Sequence, residues 1–127
     1  MEVKLSNIET DGWELDDGEA IHSEHPGTFW IPAFDIRNSL QTEQLVKLIF
    51  RIVTVDEAGE EEVNVERMWV IVKGRIGSLY KGHLDNDPYC TEGIRAGMEV
   101  WFLPKHVIDI YAAKGCVSGG IAGYDQP

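Results

Sequence analysis

Apolar and polar positions alternate most regularly in residues 45–54. Val46, Leu48, Phe50 and Ile52 fall on one side, and Leu45, Lys47, Ile49, Arg51 and Val53 on the other. A period of two rich in β-branched residues predicts a strand with one buried and one mixed face. Residues 65–73 repeat the pattern, with Met68, Val70 and Val72 inward and Arg67 and Trp69 opposite. The connection, residues 56–64, carries Gly59 and the run Glu60, Glu61, Glu62, and reads as a polar hairpin tip. After a turn at Gly74 to Gly77, residues 78–84 form a third strand, with Tyr80 and Leu84 on one side and Lys81 and His83 on the other. Residues 99–103 form a fourth, Pro104 to His106 a tight turn, and residues 107–111 a fifth. This order predicts an α+β, mainly β fold: a five-stranded SH3-like barrel, or a strongly curled antiparallel sheet of the same order, with a short N-terminal helix. The expected core is Val46, Leu48, Phe50, Ile52, Met68, Val70, Val72, Val100, Phe102, Ile108 and Ile110.

The flanks read differently. Residues 1–24 are acidic, with Glu9, Asp11, Glu14, Asp16, Asp17, Glu19 and Glu24 and no Lys or Arg after Lys4. Such composition buries little and predicts a solvated arm, with Val3, Leu5 and Ile8 as one short strand. In TFWIPAF (residues 28–34), Pro32 suits a helix start, so a helix is expected over 33–40. Phe34 and Leu40 would face the core, with Ile36 the weaker member. Residues 25–111 then form one compact domain, and the Gly-rich tail, 112–127, should fray.

Charge narrows the partners. Eleven Lys and Arg against 22 Asp and Glu give a net charge of −11 and a pI near 4.6. Phosphate backbones and anionic membranes repel such a chain, so neither nucleic acid nor membrane is expected. A basic protein is attracted, and faster at low salt. There is no 18-residue apolar run and no basic start followed by an apolar stretch, which predicts a cytoplasmic protein. Cys90 and Cys116 make no CxxC and read as free thiols, with a disulfide pinning the tail as the alternative.

Candidate chemistry is sparse. No P-loop, nucleophile elbow, HExxH or GxGxxG is present, so no catalytic residue, cofactor or metal is assigned. His22 and His25 have helical metal-ligand spacing, but Pro26 pushes His25 out of the helical region. Asp11, Asp16 and Asp17 lack EF-hand spacing. Asp85, Asn86, Asp87 and Tyr89, around Pro88, could present carboxylates and an amide to a cation or polar ligand. The competing reading is a turn whose side chains bond their own backbone. Arg67, Trp69 and Trp101 could form an aromatic–cationic patch of the type found at binding hot spots. If the N-terminal segment, with Trp13 and Trp30, covers that face, Trp69 is core instead.

The words HPGTFWIP, VKLIF, ERMWVIV, LDNDP and FLPKHVIDI resemble the bacterial family labelled domain of unknown function 2314, over residues 25–111. The resemblance implies a bacterial origin and one compact domain, and brings no catalytic residue. QTEQ at residues 41–44 and AGME at 96–99 depart from the turns common in that family. The leading functional expectation is a non-enzymatic protein-interaction domain, possible in the specific form of an immunity protein masking a basic toxin. Its contacts would be Arg67, Trp69, Trp101, Glu60, Glu61 and Glu62. The alternatives are a small-ligand or ion-binding module using Asp85, Asn86, Asp87 and Tyr89, and an enzyme of unrecognised type.

Overall fold

A computed structural model describes residues 4–86 and 94–111. The chain runs α1 (Ile8–Asp11), β1 (Trp13–Leu15), α2 (Gly18–Glu24), α3 (Phe34–Arg37), β2 (Leu45–Val55), β3 (Glu61–Ile76) and β4 (Leu79–Leu84). It ends with β5 (Glu99–Phe102), the 3-10 turn η1 (Pro104–His106) and β6 (Asp109–Tyr111). The fold is mainly β, an antiparallel half-barrel with strand order β1-β2-β3-β4-β5. From β5 the chain passes through η1 to β6, which pairs back on β2 with Val46 opposite Ile110. No helix among the described residues is long and apolar enough to cross a membrane.

The frame is the long β2–β3 hairpin, running from Leu45↔Ile71 to Val55↔Glu61. Asp56 closes it: its Oδ1 accepts the Ala58 and Glu60 N–H groups at 2.9 Å, and Gly59 takes the left-handed φ of +84°. Val46, Leu48, Phe50, Ile52, Met68, Val70 and Val72 point inward and meet Tyr80, Leu84, Val100, Phe102 and Val107. Tyr80 stacks on Phe102 at 5.2 Å between ring centroids. Gly82 sits where β4 crosses this core. A Cβ there would press on the Val70 side chain and stand 2.9 Å from the Ile71 carbonyl oxygen. Of the eleven expected core residues, ten are buried and Ile110 is half-buried.

The N-terminal segment departs from the solvated arm. Asn7 and Asp17 cap two short helices, accepting the Glu9 and Ala20 N–H groups at 2.8 and 3.0 Å. Between them β1 adds a sixth strand, pairing Trp13 with Ile52 and Leu15 with Phe50. Trp13 lies on Phe50, 5.4 Å between centroids, and belongs to the core. Ile8, expected in a strand, is helical, while Val3 and the tail from residue 112 lie outside the described residues. The acids misled because one tryptophan, with the open edge of β2 beside it, outweighs them.

The helix expected over 33–40 is confined to Phe34–Arg37, and its exposure is inverted. Phe34 and Ile36 are exposed, Leu40 packs against the core, and Arg37 is buried. The Arg37 guanidinium donates to the Pro32 carbonyl at 2.7 Å, Glu19 Oε2 at 2.7 Å and the Pro104 carbonyl at 2.8 Å. It thereby ties α2, α3 and η1 together. Those acceptors make its burial tolerable. Among the described residues, His106 is the other buried charged or polar side chain. Its Nδ1 accepts the Leu103 N–H at 2.9 Å. Burial, and secondarily the Lys105 charge, lowers its pKa to about 4.

Candidate functional site on the outer face of the hairpin

Alternation puts Val53, Val55, Arg51, Ile49 and Lys47 of β2 on the outer face, with Glu61, Val63, Val65, Arg67 and Trp69 of β3. This face has two halves of opposite character. Toward the tip, Val55, Val63 and Val65 are 62%, 46% and 59% exposed, and Glu60, Glu61 and Glu62 are exposed beside them. Among the described residues, the strand pairing that flanks this end is β1, whose ladder with β2 stops at Trp13↔Ile52.

Toward the other end lies a cleft of about 260 Å³, lined by Thr28, Phe29, Trp30, Lys47, Arg67, Ile108 and Asp109. His22 Nδ1 donates to the Phe29 carbonyl at 2.6 Å and ties the segment after α2 back to that helix. The Arg67 guanidinium lies over the Phe29 ring at 5.7 Å, and the Lys47 ammonium over the Trp69 ring at 4.8 Å. Tyr111 meets Trp69 edge-on at 6.0 Å. Trp30, at the cleft, is 70% exposed.

Arg67 and Trp69 therefore share one face as expected, and Trp69 is half-buried there. Trp101 does not join them. It sits on β5 opposite Lys81, with β4 between it and β3, and is buried at 7% exposure. Trp13 does not cover this face, since it is in the core on the opposite side. Phe29, Trp30, Lys47 and Asp109, which complete the cleft, were not singled out as contact residues from sequence. They are distant along the chain, and the β2–β6 pairing, the His22 contact and the Arg67–Phe29 stacking bring them together.

The Asp85 loop is described only in part, because Asp87, Pro88, Tyr89 and Cys90 lie outside the described residues, as does Cys116. In the described part, Asn86 Oδ1 accepts the Trp69 N–H at 2.6 Å, and the Asp85 N–H donates to the Trp69 carbonyl at 2.8 Å. Asn86 thus serves the backbone of β3 and not that of its own turn. Among the described residues no group of three or more His, Cys, Asp or Glu is arranged to hold a metal ion. Comparison with protein-family models, curated proteins and solved structures finds no match.

Proposed function

We propose that this chain is a non-enzymatic protein-interaction domain that docks a basic partner on the outer face of its β2–β3 hairpin. One observation carries the reading: three valines stand half to two-thirds exposed in adjacent rows, with Glu61 on the same face and Glu60 and Glu62 exposed on either side of it at the tip. Folding does not require that arrangement. Clustered exposed apolar side chains rimmed by charge supply short-range affinity, while the acids steer a basic surface toward them. The net charge of −11 extends the attraction beyond contact range. The most specific form of this reading is a bacterial, cytoplasmic immunity protein that masks a basic toxin, and the charge distribution is what supports it. The Asp85 loop is a weaker candidate, because its described amide is engaged with the Trp69 backbone.

The test is kinetic, on whatever basic partner an affinity capture yields. Reversing Glu60, Glu61 and Glu62 to Lys should leave Tm nearly unchanged. The association rate should fall several-fold at low salt and much less at high salt, where screening removes the field. An association rate indifferent to both reversal and salt would reduce the tip to a solvating loop.

A further inference from the structure

The cations of this chain are distributed unevenly with respect to the acids around them. Arg37 pairs with Glu19, Arg51 with Glu14, Lys73 with Glu43, Lys81 with Glu99 and Lys105 with Asp17, at 2.7 to 3.8 Å. Among the described residues, no carboxylate lies within ion-pair distance of Lys47, Arg67 or Arg75, and of these Arg75 is engaged instead by the Asn38 carbonyl and side-chain oxygens at 2.8 and 2.6 Å, outside the cleft. Yet acids outnumber bases two to one. The two of interest are Lys47 and Arg67. These two are diagonal neighbours across the β2–β3 ladder, with Lys47 opposite Trp69 and Arg67 opposite Ile49. Side chains so placed start roughly 7–8 Å apart, close enough to converge on one anion. Both line the same cleft, and each lies over an aromatic ring instead of an acid. Asp109 also lines it, across from Lys47 in the β2–β6 ladder, and its Oδ1 accepts the Ile110 N–H at 2.9 Å. The cleft therefore carries one surplus positive charge inside a strongly acidic molecule.

We propose that this cleft binds an organic monocarboxylate with a planar or apolar body. The Arg67 fork and the Lys47 ammonium receive the carboxylate, as guanidinium geometry favours. Phe29 and Trp30 take the body. The surplus of one charge matches a monoanion, and the field of the whole chain disfavours phosphates of higher charge. At about 260 Å³ the cleft is smaller than the roughly 300–1,000 Å³ of drug-sized sites, so the occupant is a small acid or the terminal residue of a peptide. The inference stands apart from the hairpin docking reading, because it uses different residues and its test needs no partner protein.

The test is an NMR titration of the full chain, following the Trp30 indole N–H, with four probes. They are phenylacetate, its neutral isostere phenylacetamide, inorganic phosphate, and a short peptide ending in phenylalanine with its C-terminus free or amidated. Saturable shifts with phenylacetate, absent with phenylacetamide, are expected. Lys47→Met and Arg67→Gln should each weaken binding at least about tenfold, the size of one charge-assisted hydrogen bond. Both positions are on the surface, and an unchanged Tm establishes that each variant is folded. Asp109→Asn should tighten binding, because it removes the competing charge and keeps the acceptor for Ile110. Binding of the free-ended peptide without phenylacetate identifies a chain terminus as the source of the carboxylate. Binding of both identifies the acid group alone as sufficient. Equal binding of phenylacetamide, tighter binding of phosphate, wild-type affinity in both cation variants, or no saturable shift with any probe would overturn the proposal.

Discussion

On the inner side of the β2–β3 ladder, Val46, Leu48, Phe50, Ile52, Met68, Val70 and Val72 are all essentially buried. On the outer side, exposure climbs from buried Ile49 through Val53 and Val65 to Val55 at the tip. The backbone, the pairing and much of the residue chemistry are the same on both sides. What differs is the neighbour. The inner face meets β4, β5 and Trp13, which fill it to core density. Among the described residues, the outer face meets the segment from Thr28 to Trp30 and β6 at one end, and farther along only Glu14 of β1, paired with Arg51. Alternation therefore decides which side a residue occupies, and the rest of the chain decides whether that side is covered.

Phe50→Ala attacks the covered side at a fully buried aromatic ring, beneath Trp13. Truncating a buried Phe leaves a cavity and should cost about 3–5 kcal/mol in urea denaturation. A loss below about 1 kcal/mol would mean that the inner face is not a packed core.

His106, buried in η1, makes the fold sensitive to acid. The fold favours its neutral form, so the unfolded chain takes up a proton first. Stability from this group is complete above about pH 6.5, the unfolded value. It declines as pH falls toward about 4, by on the order of 3 kcal/mol in all. His106→Asn retains an acceptor for the Leu103 N–H and should flatten the dependence over that window. Carboxylates titrate in both proteins, so the difference between the two urea-midpoint profiles isolates the imidazole. Parallel profiles would show that His106 titrates normally.

Gly82→Ala tests how tightly the inner face is closed. The added methyl meets Val70, the Ile71 carbonyl and the Phe102 ring, so β4 must shift away from β3. Overpacking of this kind should cost about 1–3 kcal/mol. Thermal stability equal to the wild type would place slack in the half-barrel that the contacts do not show.

The same distinction explains what could be read from the sequence. The inner strands and ten buried core positions followed from period-two alternation, because that signal is local. The strand β1 was hidden, since three residues among acids carry no periodicity and pair only because β2 offers an open edge. Arg37 carries no local signal of burial, because its three acceptors come from Pro32, Glu19 and Pro104. Phe34 and Ile36 looked like core by type, but the same turn had to bury the guanidinium side of the helix instead. At the candidate site, Arg67 and Trp69 were visible from strand parity. Trp101 was misplaced because parity fixes a face and not the distance across it. Lys47, Phe29 and Trp30 joined the cleft only through tertiary contacts.

The smallest expected effect sharpens the comparison most. Val63→Thr and Val65→Thr, made together, keep β-branching and nearly the same shape, so strand propensity should hardly change. Each side chain is already about half solvated, so little apolar burial is lost on substitution. The pair should shift the folding free energy by no more than about 0.5 kcal/mol per residue, as surface changes usually do. Affinity for the basic partner should nevertheless drop, chiefly through faster dissociation, because the short-range apolar contact is removed while Glu60, Glu61 and Glu62 still steer. A denaturation loss approaching that of Phe50→Ala would mean that these valines are covered within the protein, which would end the docking role of the hairpin. A small loss with unchanged affinity would move the partner's contact elsewhere on the chain.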